Sequence, residues 1–280
     1  MRKLIFVSLT LLLLCSAAVA QQPAPTPGAL TFYYDYTVQP GKEQEFMTLI
    51  NTIGAPVRDK LMAEGVVLGW GMETPILRYP GGTTNLIWFS VANYAGVEKV
   101  LTAMEARQAK LAADEAADAR RGFRGMTTAE RVRATFDMSK TRDWLIRDLV
   151  ANYGPVPAAG VMPYTRYNFV KVKPGKGQDY RRVWEKYNKP IFDKLVADGT
   201  VLAFGLAAED VKTDGDWTHF VWIATPSMAA ADKIAPAFAA DPSRRTEKDR
   251  KEIADAFLEV TEPDKARSII TRSRIFKVKM

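Results

Sequence analysis

Few residues in this chain have the chemistry to act on another molecule. Asp35 lies in the run Phe32-Tyr33-Tyr34-Asp35-Tyr36, a carboxylate among aromatic side chains. Desolvation there would raise its pKa and suit it to act as a base, although a strand-end carboxylate bonded to a tyrosine or lysine is the plainer reading. His219 is the only histidine. Alone it could be a base or a single haem ligand, or simply a strand-end residue, but it cannot build a multi-histidine zinc site. The one cysteine, Cys15, lies in the N-terminal apolar run, so the rest of the chain offers no thiol nucleophile, thiolate metal site or disulfide. Gly69-Trp70-Gly71 lacks the third glycine of a dinucleotide fingerprint, and neither a Gly-x-Ser-x-Gly elbow nor a phosphate-loop lysine occurs. No metal and no cofactor are expected from this inventory.

The elements that must position these residues come in two copies. A constant shift of 134 positions carries Pro40 onto Pro174, Pro56 onto Pro190, Asp59-Lys60 onto Asp193-Lys194, Gly65 onto Gly199 and Gly71 onto Gly205. Tyr33, Trp88 and Lys99 fall on Tyr167, Trp222 and Lys233, so the repeat is a whole unit. Period-two and helical patterns give the order strand, helix, strand, strand, helix, strand in each copy. The predicted strands are Phe32 to Val38, Val66 to Met72, Asn85 to Val91 and Trp144 to Val150, then Tyr167 to Val172, Val201 to Leu206, Trp217 to Ile223 and Ile269 to Val278. Pro56 should kink the first helix, and Asp214-Gly215 signals a hairpin turn.

A βαββαβ unit is ferredoxin-like, with both helices on one face of an antiparallel sheet. Its bare face must be covered, and the other copy, sheet against sheet, is the economical cover. The fold class expected is α+β, tandem ferredoxin-like repeats of a dimeric α/β-barrel kind. The divisions are a signal peptide (1–20), a Pro-rich leader (21–30), repeat one (31–153), a linker (154–163) and repeat two (164–280). Three motifs carry a resemblance: Val38 to Lys42 with Val172 to Lys176, Gly65 to Gly71 with Gly199 to Gly205, and Trp88 with Trp222. In these the chain resembles the dimeric α/β-barrel superfamily, whose members include antibiotic-biosynthesis-type monooxygenases, EthD-like proteins and NIPSNAP-like proteins. That resemblance implies the fold, and a barrel formed by two subunits or two fused copies. It leaves the chemistry open between cofactor-free oxygenases, haem proteins, isomerases and proteins of undefined activity.

Strand alternation places Tyr33 and Asp35, with Tyr167, Phe169 and Lys171, on the inner face, and Trp88 and Trp222 with them. Tyr33, Asp35, Trp88, Tyr167, Lys171 and Trp222 are therefore the candidate ligand-binding residues, and Asp35 and His219 the candidate catalytic ones. Interface core is the plainer role for the two tryptophans. The functional expectation is a small apolar or aromatic ligand between the sheets. The alternatives are a cofactor-independent oxygenase or isomerase, and an interaction module with a closed core.

Arg2 and Lys3, the apolar run Leu4 to Leu14 and Ala18-Val19-Ala20 read as a cleaved secretory signal, so the destination expected is periplasmic or extracellular. No further long apolar run follows, which argues against a transmembrane segment after cleavage. Without Arg2 and Lys3 the charge is 37 basic against 32 acidic residues, mildly basic and unfocused, which gives no reason to expect nucleic acid. The densest cluster, Arg120-Arg121-Gly122-Phe123-Arg124, reads as a solvated helix end. Pairing within the chain and pairing in a homodimer both remain open.

Overall fold

Four glycines set the turns of both halves. Gly41 and Gly175 each take a φ of 77°, and Gly65 and Gly199 take 78° and 76°. L side chains avoid this left-handed region, which explains the repeated Pro-Gly-Lys and the glycine after each first helix. The computed structural model describes residues 28–77, 82–121, 125–155, 157, 160–213 and 216–278. The signal sequence and most of the Pro-rich leader lie outside the described residues, as do Pro80-Gly81, residues 122–124 of the arginine cluster and the Asp214-Gly215 turn.

The first half runs β1 (Leu30–Tyr36), α1 (Glu43–Leu49), α2 (Ala55–Ala63), β2 (Val67–Pro75), β3 (Asn85–Val91), α3 (Tyr94–Arg120), α4 (Thr128–Thr135) and β4 (Arg142–Tyr153). The second runs β5 (Tyr164–Val172), α5 (Gly177–Tyr187), α6 (Lys189–Ala197), β6 (Ala203–Glu209), β7 (His219–Thr225), α7 (Met228–Ala231), α8 (Ile234–Ala240), α9 (Glu247–Val260) and β8 (Thr261–Val278). The expected kink at Pro56 is a π-helical turn over Ile50–Gly54 that joins α1 to α2. Proline cannot donate to the carbonyl four residues back, and Arg107 of α3 bonds that Thr52 oxygen instead, at 3.0 and 3.3 Å.

The strand order is β1-β3-β2-β8-β5-β7-β6-β4, closed on itself. Each half contributes four neighbours in the same order, β4-β1-β3-β2 and β8-β5-β7-β6. The two sheets expected to face one another are thus joined at their edges, β2 to β8 and β4 to β6, into one antiparallel barrel within a single chain. Pairing between strands far apart in sequence also explains why three strands outrun their sequence pattern. Glu73, Thr74 and Pro75 extend β2 against Ser273, Arg272 and Thr271 of β8, and Ala151 to Tyr153 extend β4 against Gly205 to Ala203 of β6. β8 itself starts at Thr261, eight residues ahead of expectation, because its first residues pair with Lys171 and Val172.

The repeated aspartates staple the two seams. Asp59 of α2 accepts bonds from Trp70 Nε1 at 2.9 Å and from Lys277 of β8 at 2.7 and 2.8 Å. Asp193 of α6 accepts from Asn152 of β4 at 2.7 Å and from Lys189 at 2.7 Å. Each carboxylate therefore ties a helix of one half to a strand of the other. Helices cover the outside of the barrel. α2 and α3 pack on Trp70, Phe89 and Val91, while Tyr180, Trp184, Ile191 and Leu195 of α5 and α6 pack on Phe204, Leu206, Val221 and Ile223. The halves differ most in their second helices. α3 has 27 residues and is capped by Asn93, whereas its counterpart is broken into α7 and α8, of four and seven residues.

Candidate functional site

Strand register sorts the barrel interior into layers. Tyr33 of β1 pairs with Trp88 and Trp144, and Tyr167 of β5 pairs with Trp222 and Ile269, which makes the middle layer. On one side of it lie Thr31, Ser90, Thr165 and Ala224, all small. On the other side Leu86, Phe169 and Phe220 meet Trp144 and Trp217, with ring centroids 5.3 to 5.7 Å apart. Arg267 closes that end, its guanidinium 4.8 Å from the Phe169 centroid. One end of the barrel is plugged by aromatic rings. The other holds a cavity of about 520 Å³.

Tyr33, Trp88, Tyr167 and Trp222 all line that cavity. The two tryptophans lie flat against neighbouring strands because glycine stands opposite each. A Cβ at Gly71 would come within 2.8 Å of the Trp88 ring, and one at Gly205 within 2.5 Å of Trp222. This is the physical reason for the paired Gly71 and Gly205. Asp35 is buried at the plugged end, beside Leu86 and Arg142 in register, and does not line the cavity. Its pKa is raised by burial, against the Thr83 hydroxyl and the charges of Arg142 and Arg267. Lys171 lies beyond a bulge, half-buried opposite Glu262. His219 points outward beneath α5, its ring 5.4 Å from Tyr180 and its Nδ1 3.0 Å from Thr218 Oγ1. Burial pushes its pKa down to about 4. A haem held by that histidine does not fit the cavity, since His219 faces the helix layer and the described lining residues offer neither imidazole nor thiolate.

Two cavity carboxylates were not singled out from the sequence. Glu73 of β2 is 2% exposed and receives three donors. Trp88 Nε1 donates to Oε1 at 3.0 Å, and Tyr167 Oη at 3.0 Å and Thr271 Oγ1 both donate to Oε2. Burial raises its pKa, against those hydrogen bonds. Asp148 of β4 accepts from Trp222 Nε1 at 3.2 Å and Tyr153 Oη at 3.5 Å. Desolvation pushes its pKa up to about 6. Both carried a sequence signal. The 134-residue shift sets Glu73 against Ala207, but a second strand ending at Met72 leaves it out. Asp148 stands two and four residues from Ile146 and Trp144, on the inner face of the predicted fourth strand.

Geometrically, then, the molecule is an α+β protein whose closed antiparallel barrel is plugged at one end and carries a pocket with two buried acids at the other. Solved structures share this fold. A provisionally assigned monooxygenase of Fusobacterium nucleatum is similar with a TM-score of 0.59 at 12% identity, over 90% of this chain and 95% of that one. Another, of Lactobacillus acidophilus, gives 0.54 at 10% identity, over 90% and 96%. At these identities the likeness is one of fold alone. No protein-family model and no curated protein sequence matches the chain.

The raised pKa of Asp148 has a stability consequence. The folded state holds that proton more tightly than the unfolded chain, so the associated stability is complete below pH 4 and is lost as pH rises through about 6. A shift of this size corresponds to about 3 kcal/mol. Asp148→Asn keeps an acceptor for Trp222 and has no charge to bury. It should unfold at higher denaturant than the parent at pH 7.5, with the gap closing towards pH 4. A variant less stable than the parent at pH 7.5 would contradict the burial cost.

Proposed function

We propose that this protein binds a small apolar or aromatic molecule in the open end of its barrel, between Trp88 and Trp222. The observation that carries this reading is the cavity itself, sealed by rings below and bordered by small residues above. Pockets that are mostly apolar with a few placed polar groups are the usual form of small-molecule sites. A space beside the two tryptophans also speaks against a barrel packed shut as a pure interaction module. In our reading the halves are two fused ferredoxin-like repeats, 31–153 and 164–280, of the kind found in NIPSNAP-like, EthD-like and monooxygenase-like relatives. The alternative is a cofactor-independent oxygenase or isomerase. The near-neutral pKa of Asp148 favours it, because a carboxylate poised there suits proton abstraction.

We also infer export, supported by Arg2, Lys3, the Leu4 to Leu14 run and Ala18-Val19-Ala20. N-terminal sequencing of native protein checks it, with Gln21 expected as the first residue. The binding reading is tested with the neutral fluorophore N-phenyl-1-naphthylamine. One equivalent should bind per chain, with saturable fluorescence gain. Ala203 stands opposite Ala224 at the cavity mouth, so Ala203→Trp should fill the space and abolish binding with thermal unfolding little changed. Absence of saturable binding, or binding undiminished in a folded Ala203→Trp variant, would count against the cavity as a site.

A further inference from the structure

The charge inventory of the cavity is one-sided. Six aromatic side chains line it: Tyr33, Trp88, Tyr153, Tyr167, Trp222 and Phe276. Two carboxylates join them, Glu73 and Asp148, and among the described lining residues there is no lysine, arginine or histidine. A carboxylate has about four lone-pair sites. Trp88, Tyr167, Thr271 and Thr165 surround Glu73, whereas only two donors occupy Asp148, the longer at 3.5 Å. Acceptor capacity is left over at Asp148, and it faces a space walled by π surfaces. Aromatic faces attract cations, and buried carboxylates without a counter-charge are costly. An anionic ligand would add a third negative group to the same enclosure.

We propose that the barrel cavity selects a protonated amine carrying an aromatic or apolar body, its ammonium directed at Asp148 and Glu73 and its body held between Trp88 and Trp222. This rests on the ligand-binding reading above and narrows it to a charge class. The ammonium supplies N–H donors for the free lone pairs of Asp148 and offsets part of the desolvation penalty of both carboxylates. Binding is thereby coupled to protonation. The groups that face Asp148 are Tyr33 on β1, Tyr153 on its own strand and Trp222 on β7, none of them cationic. The amine thus competes with the proton that Asp148 takes up near pH 6.

Calorimetric titration with three soluble probes of similar size tests the charge preference: 2-phenylethylamine, 2-phenylethanol and 3-phenylpropionate. At pH 7.5 the amine should bind ~tenfold or more tighter than the alcohol, as expected for a desolvated cation over aromatic faces, and the carboxylate should not bind measurably. At pH 5 the preference of amine over alcohol should fall by ~tenfold, as Asp148 becomes neutral. Asp148→Asn should lower the preference similarly at pH 7.5, and the pH arm on the parent protein needs no variant to fold. Alcohol or carboxylate binding as tightly as the amine would overturn the charge assignment while leaving the cavity as a ligand site. Loss of all three, together with the neutral fluorophore, would overturn the ligand site itself. An amine preference that survives both pH 5 and Asp148→Asn would remove Asp148 from the proposal and overturn it as stated.

Discussion

Closure of the sheet is the constraint on which the rest of this structure depends. Each half has two outer strands, β4 and β2 or β8 and β6, whose unpaired edges would invite association with other chains. Pairing β2 with β8 and β4 with β6 leaves no edge in the barrel. The lengthened edge strands and the Asp59 and Asp193 staples follow from that pairing. So does the size of the interior, since an eight-stranded barrel has room for its own side chains or one small ligand. Which of these it holds depends on the inward residues. Phe169, Phe220, Trp144 and Trp217 fill one end, whereas Thr31, Ser90, Thr165 and Ala224 cannot fill the other.

The two halves share a scaffold but not an interior. Tyr33 and Trp88 of the middle layer recur as Tyr167 and Trp222, as do the glycines that let the two indoles lie flat. The acids do not. Glu73 faces Ala207 across the repeat, and in strand register Asp148 matches Ser273, whose hydroxyl is buried without a partner among the described residues. A pseudo-symmetric barrel would be built as well with neutral side chains at both places, and burial raises the pKa of each acid. Groups perturbed in this way, at a cavity and at a stability cost, are where function concentrates.

The element order and the inward faces of β1, β3, β5 and β7 could be read from the sequence because they rest on local periodicity and on residues that recur. Pro56 signalled its kink because a missing amide is a local fact. The closing pairs were not readable, since β2 with β8 and β4 with β6 join residues far apart in the chain, with no local pattern marking an edge. That same blindness hid Glu73, which lies where β2 runs on past its local pattern, between Leu86 of β3 and Ser273 of β8. Asp35 drew attention by its place on the inner face among tyrosines, and His219 as the only histidine. Register sets the first at the plugged end and the second under α5, because alternation fixes which face a side chain takes but not its height along the barrel.

The central claim is that a ligand enters at the open end alone, and the indole N–H resonances of the six tryptophans test it directly. Titration with N-phenyl-1-naphthylamine, followed by two-dimensional NMR, should shift Trp88 and Trp222 and leave Trp144 and Trp217 in the plug, and Trp70 and Trp184 in the helix layers, in place. Shifts confined to Trp184, or spread to Trp144 and Trp217 with Trp88 and Trp222 unmoved, would contradict it.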